Sequence, residues 1–512
     1  MPETIDSVWA ELDRVVGSVR ERSLGRLVRE DGERRAALWM EAGGLTIDFA
    51  KTHLDAAVLT AGAKLADAVD FETWRSRLLT GAIVNLSENR AATHSAERGV
   101  GSPDHVAAAD HARTAMRGVY DRVVDGDFGQ VERIIHIGIG GSFLGPALVI
   151  DALPKTGPVA DVRIVSNIDA VSLDRALEGA HAERTLVVVV SKSFTTLETM
   201  MNARSAMAAL GLGPERVIAV TANPEKAAAF GVPEENILGF AETVGGRYSL
   251  WTGVGLAAAL AVGWSAFEDM LAGAADMDRH FRDAPLQKNL PFVAALLDII
   301  YASVIGAESR AIFAYDERLR LLPDFLQQLE TESNGKSVDR QGRALTRPSS
   351  PVVWGGVGTD AQHAVFQMLH QGTHLVTTEF LAVREPGHNR DAAHHEQLLA
   401  NCIAQGAALL DGRDYETALA ETGGPDLAHA KTFDGGRPST TILLERLDAR
   451  TLGALIVFYE HRTFSFGALL QINSFDQMGV ELGKTVAQAI ANGDLGDLDP
   501  SSRALLDRLT SE

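Results

Sequence analysis

The sequence holds a single cysteine, Cys402, in 512 residues. With no second thiol in the chain an internal disulfide framework is excluded, and this usage suits a reducing compartment. Aromatic residues are sparse at 6%, against 48 glycines and an apolar fraction of 46%. That balance favours helices and close packing over an aromatic-rich β architecture. Positive charge is also in deficit, since 47 Lys and Arg face 68 Asp and Glu, for a formal net charge of −21. Nucleic acid is therefore not an expected partner, because its affinity rests on basic side chains neutralising phosphates. Any anionic substrate must be met by a few placed cations and backbone N–H groups. One run, Tyr248 to Phe267, carries no charge at all. A membrane span needs about 20 apolar residues, but this run contains Ser249, Thr252, Ser265 and three glycines. It is read as a buried helix, and no membrane partner is expected. Met1 to Leu12 carries Glu3, Asp6 and Glu11 and no apolar core, so no signal peptide is expected.

At about 100–200 residues per domain, the length implies two or three lobes. The stretch to about Arg117 reads as helical, beginning with Asp6 to Arg22, where Val8, Leu12, Val15 and Val16 recur at helical spacing. Asn85 to Arg98 is polar and charged and is expected to face solvent or a cleft. From Val131 the period changes. Ile134–Ile139, Val162–Ser166, Thr185–Val190 and Val217–Val220 read as strands separated by helical patterns. Continuous β-branched runs of this kind imply a parallel sheet covered on both faces. The alternation returns with strands at Ala311–Ala314, Val352–Trp354 and His374–Val376 and helices at Pro323–Glu330 and Asp360–His370. A single apolar helix, Gly253–Phe267, would join the two layers. No alternation is read from Ile442 onward, and the chain after Leu452 looks helical.

Several segments could carry chemistry. Gly138-Ile139-Gly140-Gly141-Ser142 follows a strand and opens a helix, where glycines let backbone N–H groups approach an anion. A tight turn would look the same, and a dinucleotide site would want glycine where Phe143 stands. In Ser191-Lys192-Ser193-Phe194-Thr195-Thr196, five of six residues offer donors at a helix start that favours negative charge. Thr195-x-x-Glu198 also matches a capping box. Gln328 and Glu332 share a face if their helix runs that far, so Glu332 is either a proton base or part of a solvated face. His363 is expected in the first turn of its helix, capped by Thr359 or Asp360, where the dipole would favour a neutral imidazole. A packed histidine is the alternative, and the more natural reading of His370. Arg247 and Lys484 adjoin low-charge, glycine-containing segments, which suits partial burial near an anion.

Together these segments resemble the glucose-6-phosphate isomerase family. Its strings occur in order as Ile137–Pro146, Ser166–Asp169, Ser191–Thr199, Gly245–Trp251, Glu332–Lys336, Gln362–Ala364, His370–Thr373 and Ser474–Lys484. The likeness spans about residues 45–490. It implies an α/β fold with two sugar-isomerase (SIS-type) domains, their parallel sheets flanked by helices, plus N- and C-terminal helical segments. The expected division is 1–117, 118–275 (small domain with the phosphate loop), 276–440 (large domain) and 441–512. The resemblance also implies a cytoplasmic homodimer acting on a phosphorylated sugar, with no metal or cofactor. Phosphate would sit on Gly141, Ser142, Ser191, Lys192, Ser193 and Thr196. Glu332 would shuttle the proton, Arg247 would stabilise the enediol(ate), and Gln328 and Gln477 would line the pocket. His363, supplied across the subunit interface and oriented by Glu198, would open the sugar ring with Lys484. Departures from the family pattern are Phe143 for aspartate, Ser193 for threonine, the Gly356–Ala361 loop, and the run Ser337–Gln341. None removes a proposed catalytic side chain. A phosphosugar sensor, a nicotinamide dehydrogenase and an isomerase of another sugar remain the competing readings. The intact Glu332, Arg247, His363 and Lys484 speak against a sensor, and Phe143 with the Ser-Lys-Ser loop against the dehydrogenase.

Overall fold

The computed structural model describes residues 4–510. Glu3, one of the charges set against a leader, lies outside them, as do Ser511 and Glu512 at the end of the C-terminal segment. The chain forms two compact units that part after Ser474. The first unit is built on two large sheets and one two-stranded antiparallel ribbon. Its strands are β1 (Trp39–Ala42), β2 (Leu45–Asp48), β3 (Ile83–Asn85), β4 (Arg90–Ala91), β5 (Arg133–Ile137), β6 (Asp161–Val165), β7 (Thr185–Val190), β8 (Val217–Thr221), β9 (Ile237–Gly239), β10 (Ser309–Tyr315), β11 (Val352–Val357), β12 (Val376–Val383) and β13 (Ser439–Leu444).

The smaller sheet has the order β6-β5-β7-β8-β9 and is parallel throughout. All six residues of β7 are buried, as a strand covered by helices on both faces requires. From β5 the chain steps to one side for β6 and then returns to the other side for β7. The strand order therefore reverses between β5 and β7, and loops leaving the carboxyl ends of two such strands frame a crevice. Those two loops are Gly138–Ser142 and Ser191–Thr196.

The larger sheet has the order β1-β2-β13-β12-β10-β11. Its core from β13 to β11 is parallel, and β2 adds antiparallel to β13. Four of these strands depart from the sequence reading. β1 and β2 form a hairpin inside the stretch read as helical, turned by Gly43 and Gly44 at φ of +60° and +79°. β13 lies across residue 442, where no alternation was expected; it is flanked by an irregular stretch and so lacks the strand–helix rhythm that marked the others. β12 begins at Val376, two residues after the expected start.

The uncharged run is buried as expected, but it is not one helix. A 3₁₀ turn, Gly246–Trp251, precedes a short helix, Leu256–Val262, and a long one, Trp264–Asp283. Gly263 separates them at φ +95°, a conformation that side chains rarely adopt. Among the described residues no helix is long and apolar enough to cross a membrane.

The Asn85–Arg98 stretch also differs from expectation. Residues 92–98 are buried, and Arg98 donates to both oxygens of Asp278, at 2.7 and 2.8 Å, and to Glu460 at 2.9 Å. His461 adds a 2.7 Å bond to Asp278; the carboxylate can only accept, so Nε2 carries the proton. Burial pushes the Asp278 carboxyl up, but Arg98 overrides it and holds the group below the usual carboxylate range. The second unit, from Phe475, contains the helices Gly479–Ala491 and Pro500–Thr510 and buries no helical residue.

Candidate active site

Gly138–Ser142 leaves β5 as an extended step followed by a 3₁₀ turn, Gly140–Ser142. His136, the penultimate residue of β5, fixes this turn from below through a 2.8 Å bond to the Ser142 carbonyl. The carbonyl only accepts, so Nε2 is the protonated nitrogen, and burial holds the imidazole pKa down at about 4. Two glycines are required by what faces them. A methyl on Gly140, already at φ +60°, would sit 2.9 Å from Gln328 Nε2. A methyl on Gly141 would run into the Gly246 carbonyl and the Arg247 amide. The loop thus touches both the turn that carries Arg247 and the helix that carries Gln328.

The second loop, Ser191–Thr196, follows β7. Ser191 Oγ lies 3.1 Å from Thr196 Oγ1, and Ser193 Oγ accepts from the Thr195 hydroxyl at 2.8 Å. Phe194 holds φ +52° and is buried edge-on against Phe230 at 5.9 Å, so packing sustains the unusual backbone. Phe194 is buried, and the hydroxyls of Ser191 and Thr196 meet just before the helix Leu197–Leu210, while Ser193 is exposed beside Thr195. Its N-cap is Thr196, without a side-chain cap bond, so the capping box expected from Thr195 and Glu198 does not form. The half-buried Glu198 stands in the first turn. Lys192 Nζ donates to the carbonyls of Glu242 at 2.6 Å and Val244 at 3.0 Å. Burial, then the nearby Arg90, lowers its pKa. Lys192 thereby ties this loop to the segment leading into Arg247.

Arg247 lies in the 3₁₀ turn Gly246–Trp251 and is buried, as expected. Its guanidinium donates from Nε to Ser333 Oγ at 2.7 Å, from Nη1 to Glu332 Oε1 at 3.1 Å and from Nη2 to the Ser474 carbonyl at 2.7 Å. Glu332 and Ser333 stand in the last turns of the helix Leu322–Asn334, which extends four residues past the expected Glu330. That extra length puts Gln328 and Glu332 on one face, and Gln328 Nε2 donates to Glu332 Oε2 at 2.8 Å. Each carboxylate oxygen therefore has one donor, while the side chain keeps 20% of its surface open against 2% for Arg247. A carboxylate held this way is oriented yet accessible, as a base requires.

His363 departs from expectation. The helix starts at Gly358, with Val357 as N-cap, and ends at Ala364, so neither Thr359 nor Asp360 caps it. A break at Val365 separates it from Phe366–Gln371. His363 falls in the last turn of this helix, not the first, and is exposed. His370 packs between Phe366 and Phe433 and meets Gln405 at 3.3 Å, as a structural histidine does. Gln477 and Lys484 belong to the second unit. Lys484 is exposed there and pairs with Glu481 at 2.9 Å, in place of the partial burial expected, because its helix buries no residue. The side chains brought together in the first unit are thus Arg247, Glu332 and Gln328, with Gly140 and Gly141 against them and Lys192 bonded to the adjoining segment.

Sequence reasoning missed the residues that hold Arg247. Ser333 and Ser474 lie inside the quoted strings Glu332–Lys336 and Ser474–Lys484, but nothing in their spacing marks them as acceptors for an arginine. Among the described residues no His, Cys, Asp and Glu group has a metal-holding arrangement.

Residues 48–506 match the family model described as phosphoglucose isomerase. The glucose-6-phosphate isomerase of Rhizorhabdus wittichii is 53% identical over 491 residues, covering 95% of this chain and 96% of that one. That of Zymomonas mobilis is 49% identical over 508 residues, covering 98% and 97%. The crystal structure of a glucose-6-phosphate isomerase from Chlamydia trachomatis superposes with a TM-score of 0.85 at 30% identity, covering 97% of this chain and 98% of that one.

Proposed function

Because this chain belongs to the phosphoglucose isomerase family, we propose that it interconverts glucose 6-phosphate and fructose 6-phosphate, an aldose–ketose isomerisation within glycolysis and gluconeogenesis. The observation that carries the reading is the Arg247–Glu332–Gln328 set, an oriented and accessible carboxylate beside a buried cation. The sugar phosphate binds with its phosphate against the N–H and hydroxyl groups of Gly141, Ser142, Ser191, Ser193 and Thr196 and near Lys192. Two helix starts and a nearby cation offset the overall charge of −21 there. Remote binding of the phosphate supplies energy for placing the reacting carbons.

The reaction then runs in two stages. Ring opening delivers a proton to the ring oxygen and removes one from the anomeric hydroxyl. His363 of the partner subunit and Lys484 perform it, with Glu198 orienting the imidazole. Exposure of His363 on its own chain supports supply across a homodimer interface. Glu332 next takes the proton from one of the first two carbons and returns it to the other through a cis-enediol(ate). Arg247 stabilises the oxygen charge that builds up between these steps, and Gln328 and Gln477 line the pocket. A placed acid–base group contributes about 10²–10⁴-fold. An oriented cation at the enediolate adds about 2.7–4 kcal/mol if it resembles one oxyanion-hole donor. The four-part division of the chain and a cytoplasmic site of action complete this reading.

The test is turnover of fructose 6-phosphate by purified protein in EDTA, with product glucose 6-phosphate read through a coupled dehydrogenase. The expected result is turnover that survives the chelator. Well-folded protein without turnover would reject the assignment and leave a phosphosugar sensor or an isomerase of a different sugar.

A further inference from the structure

Arg247 is held by two successive residues of one helix. Glu332 takes Nη1 and Ser333 takes Nε, at 3.1 and 2.7 Å. Ser333 is completely buried, and its hydroxyl also lies 3.0 Å from the Tyr248 hydroxyl. Tyr248 is itself buried and stacked on His94 at 4.6 Å, so the hydroxyl cannot swing away without disturbing packed aromatic rings. The third edge, Nη2, is fixed by the Ser474 carbonyl at 2.7 Å.

The identity of the acceptor at Nε matters for Glu332. An arginine beside a carboxylate tends to pair through two parallel N–H bonds, using Nη with Nε or both Nη atoms. Such a fork would occupy both carboxylate oxygens, favour the ionised form and weaken the group as a base. Here a neutral hydroxyl takes the one N–H of Nε, and a neutral carbonyl takes a bond from Nη2. Glu332 is left with one N–H from Arg247, and its other oxygen faces the weaker, neutral donor Gln328.

We propose that Ser333 is a positioning residue for the isomerisation: it holds Arg247 by its Nε edge so that the guanidinium meets Glu332 through the single N–H of Nη1. This rests on the function proposed above. Ser333 does not touch the substrate, and it acts through Arg247.

The experiment is a double-mutant cycle on the full chain, with Ser333→Ala, Arg247→Ala and the pair. Ser333→Ala is expected to lower kcat by about 10- to 100-fold, the range of one hydrogen bond to a charged group. KM should stay within about threefold, since the phosphate loops are untouched. In the Arg247→Ala background the same substitution should cost less than about twofold. An equal cost in both backgrounds, or an unchanged kcat in the single variant, overturns the proposal. Should Ser333→Ala not fold, Ser333→Cys, which keeps the shape with a weaker acceptor, runs the same cycle under the same criteria. Failure of the function itself reads differently, as absence of turnover in the wild-type chain.

Discussion

Two arginine–carboxylate pairs in the first unit are chemically alike and set up in opposite ways. Arg98 and Asp278 are both wholly buried and joined by a fork of two bonds, with Glu460 and His461 closing the remaining edges. Arg247 and Glu332 share one bond, Nε and Nη2 donate to the neutral oxygens of Ser333 and Ser474, and the carboxylate stays partly open. The difference separates a joint from a tool. A buried fork stripped of one partner leaves an uncompensated charge in a low-dielectric interior, which is costly whatever the pair contributes when intact. A half-open carboxylate costs little to neutralise, but its chemistry disappears with its charge. Replacing one partner in each pair should therefore damage different properties.

The sharpest break is expected at the tool. Glu332→Gln keeps the shape and an oxygen for Arg247, so stability should fall by only about 1–2 kcal/mol, less than for a broken fork, while kcat falls by about 10²–10⁴-fold. Coupled assay and urea unfolding measure both, and activity within a few-fold of the parent would remove Glu332 from its role. Next comes the joint. Arg98→Leu should destabilise the fold by about 3–5 kcal/mol, because Asp278 is left buried without its main partner. Urea unfolding reads this, and a loss below about 1 kcal/mol would show that the pair is not structural. Gly141→Ala tests the contact between the loop Gly138–Ser142 and the Arg247 turn. The methyl has no room against backbone, so kcat/KM should fall by about 10-fold or more, with a stability loss of about 1–3 kcal/mol.

The smallest expected effect appears only as a difference between two pH values. Glu97 neighbours Arg98, and burial pushes its pKa up to about 7, Arg113 and Arg98 offsetting this only in part. The folded state thus keeps a proton that the unfolded state releases near the usual 4.5. Stability from this group is complete below about pH 4.5 and is lost as pH rises through 7. Glu97→Gln should therefore gain stability on the parent between pH 5 and 8 by an amount on the order of 2–3 kcal/mol. Unfolding of both proteins at the two pH values checks this, and a pH-independent difference would mean that Glu97 is ordinarily ionised in the fold.

How much of this was legible in the sequence depends on whether the cause was local. β7 was read to the residue, because TLVVVV is apolar on both faces and bounded by polar turns. The loops after β5 and β7 were placed for the same reason: strand, small polar residues and helix follow one another in sequence. The break at Gly263 was missed, since an uncharged run gives no sign that one of its glycines holds a positive φ. β1 and β2 were missed because each has only four residues inside a stretch that reads as helical, and β13 because its partners β2 and β12 come from distant segments. The burial of residues 92–98 was invisible locally. Their polarity is satisfied by partners such as Asp278 and Glu460, which are 180 and 362 residues from Arg98. In the site, Gln328 and Glu332 could be placed by helical spacing, whereas the acceptors that hold Arg247 come from distant segments.

The most direct measurement on the central claim is isomerisation of fructose 6-phosphate in deuterium oxide, with the glucose 6-phosphate product analysed for deuterium at the second carbon. If Glu332 carries the proton through an enediol(ate), its carboxyl exchanges with solvent during the lifetime of the intermediate. Deuterium should then appear at that carbon, and both turnover and label should be lost in Glu332→Gln. Rapid turnover with no solvent label at the second carbon, undiminished in Glu332→Gln, would contradict proton transfer by this residue.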